Sequence, residues 1–155
     1  WLAAPGRTRG LAALLLLGCV SANVANFLLG RGRISAYEIG CLNQAMPRAF
    51  ELIREHFEPA QTLVFTSFFY QHVRYYLPAY YAWWYDPLTR PVFRERLPPE
   101  IQNVVLYSEA LRPARQPNLS FYPLPCGRRL YYFFGIEPGA QLVLRPPTVS
   151  VRSAP

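Results

Sequence analysis

The spacing of hydrophobic and polar positions changes period along this chain, and each change predicts a different element. Residues 10–30 (GLAALLLLGCVSANVANFLLG) form an uncharged run bounded by Arg9 and Arg31. At 1.5 Å per residue a helix of that length covers about 30 Å of hydrocarbon, so the run predicts a membrane-spanning helix. Ser21, Asn23 and Asn26 make its second half less apolar. The two asparagines lie three apart, near one helix face, and predict hydrogen bonds to a neighbouring helix. The same stretch also fits a secretory signal peptide, with Arg7 and Arg9 as the basic region, residues 11–20 as the apolar core and a small-residue cleavage site at 21–25. The start at Trp1, without an initiator methionine, and the WLAAP opening read as the tail of an earlier hydrophobic stretch. On that reading the run is the last helix of a larger bundle. Arginine pairs flank both of its ends, so charge alone does not orient it.

Beyond Arg33 the pattern becomes that of a folded domain. Ser35-Ala36-Tyr37-Glu38 has the form of a capping box, which starts a helix at Ala36. Met46, Ala49, Phe50, Ile53 and Phe57 recur at helical spacing, with Arg48, Glu51, Arg54 and Glu55 on the other side, and Pro47 is expected to interrupt or restart the helix. Residues 62–66 (TLVFT) read as a strand leading through Ser67 into the helix-like FFYQHVRYYL, which Pro78 stops. Residues 80–85 (YYAWWY) follow as a second strand, then a loop rich in proline and arginine to Glu100, then residues 103–107 (NVVLY) as a third. The later sequence carries no helix signal. Residues 119–124, 129–134, 141–144 and 148–151 read as short strands punctuated by Cys126-Gly127, Pro138-Gly139 and Pro146-Pro147. The class is therefore α/β: an N-terminal transmembrane helix with its flanks (1–33), then a domain (34–155) built as a small Rossmann-like three-stranded parallel unit with C-terminal antiparallel β-hairpins.

Composition sharpens this only in places. The 155 residues are 52% hydrophobic and 15% aromatic but only 16% charged, which agrees with a segment that does not face water. The net charge is +7 and every basic residue is arginine, but the arginines are scattered singly or in pairs, which argues against a nucleic-acid footprint. Of the three cysteines, Cys19 lies in the apolar run, so at most one disulfide, Cys41 to Cys126, is available; unpaired structural thiols are the favoured reading. His56 and His72 have no second ligand at metal spacing, and neither metal nor cofactor is expected.

The strings NVANFLLG, ISAYEI, IREHFEPAQTLVFTS and above all FYQHVRYYLPAYYAWWYDP resemble the end of polytopic bacterial GT-C glycosyltransferases, the family-39-like group related to protein mannosyltransferases. The resemblance covers residues 23–87, and none of these strings is a catalytic signature. It implies a parent enzyme using a polyprenyl-phosphate-linked sugar donor, with this piece structural or acceptor-assisting. The family's acidic catalytic residue lies in an early loop outside this sequence, so no catalytic residue carries over. The resemblance further implies that the domain after Arg31 faces outward from a cell inner or plasma membrane and contacts upstream transmembrane helices and lipid.

Chemistry within the domain is sought at the carboxyl ends of the parallel strands, where such sheets bind ligands: Thr66-Ser67, Tyr85-Asp86 and Ser108-Glu109. Ser67 lies near a helix start, where backbone donors hold anions, yet no glycine-rich phosphate loop accompanies it and helix capping is its simpler role. Ser67, His72 and Asp86 or Glu109 supply the residue types of a hydrolytic triad, but without a nucleophile elbow, and His72 shares a face with Phe69 and Tyr76 as a half-buried residue would. The aromatic strand carrying Trp83, Trp84 and Tyr85 suits core packing if it is central, and otherwise a lipid, partner or glycan surface. A membrane-anchored or secreted binding module with an aromatic glycan-binding surface is the alternative function.

Overall fold

A computed structural model describes residues 6–32, 35–86, 92–108, 111–145 and 148–152. The chain divides into two compact units, residues 1–44 and 45–155.

In the first unit, helix α1 (Gly6–Leu29) presents its leucines to the outside all round. The part of it spanning Gly10–Leu29 is long and apolar enough to cross a membrane, and a signal segment meets the same description. The Asn23 side-chain amide donates to the carbonyl of Cys19 one turn earlier at 2.8 Å. Helix α2 (Ala36–His56) begins at the predicted residue, with the Glu38 amide donating to the Ser35 hydroxyl at 3.2 Å. It runs without interruption through Pro47. The proline removes one backbone donor, but the following turns are held by the buried face of the helix, and packing outweighs the local loss.

In the second unit a mixed sheet of five strands has the order β2-β1-β4-β7-β6, formed by β1 (Thr62–Thr66), β2 (Tyr81–Trp84), β4 (Asn103–Tyr107), β6 (Leu119–Pro123) and β7 (Arg129–Phe133). The strands β2, β1 and β4 are parallel, as the sequence predicts. The later hairpin does not stand apart: β7 pairs antiparallel with β4, and β6 with β7. Cys126 (φ 59°) and Gly127 (φ 71°) reverse the chain between them. A second sheet, of order β3-β8-β9-β5, comprises β3 (Phe93–Arg96), β5 (Arg112–Pro113), β8 (Gln141–Arg145) and β9 (Thr148–Arg152). Its strand β3 falls in the stretch expected to be loop. The proline-rich context and the charged run Arg94-Glu95-Arg96 disguise an edge strand that buries only Phe93.

Strand alternation explains the layering. On one face of the five-stranded sheet, Leu63, Phe65, Val104, Leu106 and Phe133 meet Phe93, Leu142, Leu144, Val149 and Val151 of the second sheet. On the other, Val64, Val105, Tyr107 and Leu130 meet Phe50 and Ile53 of α2 with Phe57 just beyond it, and Val73 of helix α3 (Tyr70–Tyr76) with Leu77 just beyond it. The unit is thus helices, sheet, sheet. Tyr80 fastens the helical layer, its buried hydroxyl shared between the carbonyls of Phe57 (2.9 Å) and Ile53 (3.2 Å) near the end of α2. Outside, Arg48 pairs with Glu51 and Glu55 as the helical pattern predicts.

Cys41 and Cys126 are both disulfide-bonded, and Cys19 is free. That corrects the favoured reading of unpaired thiols; cysteines far apart in sequence leave no spacing motif from which bonding can be read. Disulfides persist in oxidising compartments, so this observation and the exposed apolar helix point to a membrane-anchored or secreted chain with its domain outside the cytoplasm.

Two outcomes follow from this packing. Phe65 is fully buried and touches the rings of Phe93 (5.6 Å) and Tyr85 (6.2 Å), so Phe65→Ala is expected to lower unfolding free energy by about 3–5 kcal/mol in denaturant titrations. Mass spectrometry after alkylation without reductant is expected to label Cys19 alone, with Cys41 and Cys126 labelled only after reduction.

Candidate functional site

The carboxyl edge of the parallel strands gathers most of the residues singled out by the sequence. Thr66 is the register partner of both Trp84 and Tyr107, which sets Ser67, Tyr85 and Ser108 as the next row beyond the ladder. Within that row the Ser67 and Ser108 hydroxyls lie 2.6 Å apart, and the amide of Tyr85 donates to the Thr66 carbonyl at 3.0 Å. The Trp84 indole N–H donates to the Ser67 carbonyl at 2.6 Å. This bond fixes the orientation of a ring whose residue is 56% exposed.

Several expectations change here. The strand β2 is an edge and not a central strand, so Trp84 and Tyr81 face solvent while Trp83 packs edge-on against Phe93 at 6.1 Å. Only Tyr85 is fully in the core, and burial, followed by the neighbouring Asp86 charge, raises its phenol pKa. Ser67 does not cap a helix: α3 starts later, with Phe69 in the capping position, and the buried Ser67 hydroxyl turns to Ser108. A seven-residue helix offers no developed anion site either. His72 is exposed rather than half-buried, its ring edge-on to Phe69 at 5.9 Å, and it makes no hydrogen bond among the described residues. Asp86 is half-buried and lies two residues beyond Trp84. Glu109 lies outside the described residues.

The described groups at this edge are an exposed ring and a bonded pair of hydroxyls. The hydroxyl facing Ser67 belongs to another serine, which accepts no proton at neutral pH, so no nucleophile is activated. The oriented indole of Trp84 presents an exposed apolar ring at this edge. Phe68, exposed and next to Ser67, extends the apolar part of the edge. Neither Phe68 nor Tyr107 draws attention in the sequence; only strand register brings Tyr107 beside Thr66.

Beneath the edge, on the helical side, the Thr66 and Tyr107 hydroxyls are buried and have no hydrogen-bond partner among the described residues. Burial pushes the Tyr107 phenol up to about 12, and the Arg128 charge opposes it only in part. Removing an unsatisfied buried hydroxyl relieves its desolvation, so Tyr107→Phe is expected to stabilise the fold by about 1 kcal/mol. A raised phenol pKa means that the folded protein keeps this proton longer than the unfolded chain. Its contribution is therefore intact below about pH 10 and is lost as pH rises through about 12. Ultraviolet titration is expected to show a component near pH 12 that the Phe variant lacks. Comparison of the chain with family models, with curated proteins and with solved structures finds no match.

Proposed function

We propose that this chain is the extracytoplasmic accessory domain of a membrane glycosyltransferase of the GT-C type, where it assists the acceptor and takes no part in bond making. The parent enzyme would draw its sugar from a polyprenyl-phosphate carrier, and the upstream transmembrane helices would hold the reacting groups. The observation that carries the reading is Trp84, exposed and oriented by the Ser67 carbonyl. Sugar rings stack on such a surface through their C–H faces while hydroxyls and carboxylates meet their edges. Asp86 is suited to the second role, and His72, farther out on α3, to contact with a longer glycan. Further support comes from the resemblance of residues 23–87 to that family's end, from the apolar helix and from the disulfide-bonded cysteines. The Rossmann-like element of this reading is confined to the three parallel strands, since the connection from β2 to β4 passes through β3 of the second sheet and carries no helix among its described residues.

The test separates a glycan platform from simple packing. Titration of the full chain with gluco- and manno-oligosaccharides, followed by tryptophan fluorescence, is expected to show saturable quenching that Trp84→Ala weakens by roughly ten-fold, the loss of one good ring contact. Trp83→Ala is expected instead to lower the melting temperature. In membranes of the parent enzyme, Trp84→Ala raises the acceptor KM and leaves kcat unchanged. Absence of quenching by every oligosaccharide, together with an unchanged KM, would leave a partner-binding module as the better account.

A further inference from the structure

The second sheet turns Leu142, Leu144, Val149 and Val151 into the core, and alternation sends their neighbours to its outer face. That face gathers arginines from four strands that are distant in sequence. Register places Arg94 opposite Val143, Arg96 opposite Gln141 and Arg112 beside Thr148, while Arg145 and Arg152 belong to the hairpin itself. With Arg115 just beyond β5, six guanidinium groups are exposed, and none has an acidic partner among the described residues. The acidic residue within these strands, Glu95, is in register with core-facing Leu142, on the opposite side of its strand from Arg94 and Arg96.

Between Arg115, Arg145 and Arg152 the face is indented by a groove of about 330 Å³, floored by Val143 and bordered by the hydroxyl residues Thr148 and Ser150. Its wall is fixed. The Gln116 side chain donates to the Val151 carbonyl at 2.8 Å and accepts from the Val151 amide at 3.1 Å, which clamps the Arg115 segment along β9. Unpaired like charges on one face repel one another, and an anion relieves that repulsion.

From this charge complementarity we infer that the outer face of the second sheet docks on the anionic headgroups of a phospholipid bilayer, with one lipid phosphate seated in the groove. Arg115, Arg145 and Arg152 supply the charge, and Thr148 and Ser150 supply hydroxyl donors. A bilayer is favoured over a soluble polyanion for two reasons. The arginines are spread over the full width of four strands, about 15 Å at strand spacing, which matches an array of headgroups better than a single polymer strand. The same chain also carries an apolar helix of membrane-spanning length, which holds headgroups at high effective concentration. The inference rests on that anchoring, and on the domain lying outside the cytoplasm.

The test uses the full chain with Cys19→Ser and a reporter cysteine at Gln141→Cys, on the same outer face but outside the groove lining, reconstituted into phosphatidylcholine vesicles with or without phosphatidylglycerol. Alkylation of the reporter is expected to slow on the order of ten-fold in the anionic vesicles and to recover in high salt. A reporter at Glu51→Cys, on the helical layer, is expected to be unaffected. Arg145→Glu with Arg152→Glu abolishes the slowing, whereas Arg145→Lys with Arg152→Lys retains most of it. Equal rates in the two vesicle types would overturn the proposal, and so would protection by soluble heparin without protection by anionic vesicles, which would assign an acidic polysaccharide. If alkaline carbonate strips the chain from the vesicles, the anchoring reading fails by itself. Flotation of the released chain then decides the face alone: binding dependent on phosphatidylglycerol upholds it, and its absence refutes it.

Discussion

The five-stranded sheet has no face to spare for water, and the architecture of the domain follows from that. All five residues of β1 are buried, as are four of five in β4. A strand that is apolar on both sides must be covered on both sides. Here the two covers differ in kind: amphipathic helices on one face, a second sheet on the other. The usual doubly wound solution would supply helices twice. This chain spends the stretch between β2 and β4 partly on β3, and the second cover becomes a sheet whose own outer surface is open to a charged partner.

Much of this is legible in the residues themselves. The capping box marks the start of α2, the apolar run of β1 and that of β4 are bounded as their side chains predict, and turn residues separate the later strands. What escapes is information that resides in pairing. Phe-Arg-Glu-Arg has one buried residue in four, so β3 is recognisable only once β8 lies beside it. The aromatic run of β2 reads as a central strand, because its edge position depends on β1 pairing elsewhere with β4.

The candidate sites show the same division. Carboxyl ends of parallel strands direct attention to Ser67 and Asp86 in the sequence, whereas the Ser67 and Ser108 hydroxyl pair and the free face of Trp84 require the register. The arginines are the sharper case. Read along the chain they are dispersed, which argues against a nucleic-acid footprint. Read across four strands, every second position contributes to one face, and a dispersed charge becomes a concentrated one.

The pairing of β3 with β8 also governs the order in which the domain is completed. The helical layer draws on residues up to Tyr107 and then on β6 and β7, so that side of the first sheet is covered early in synthesis. The other side waits: Phe93 finds Leu144, and Leu63, Phe65 and Leu106 are sealed, only when the last hairpin emerges. Until then a half-covered sheet stands in an unfinished chain, with its apolar side available to any neighbour. Contacts of such long sequence separation fold slowly. A domain of this design therefore depends, while it is being made, on whatever shields that side from aggregation.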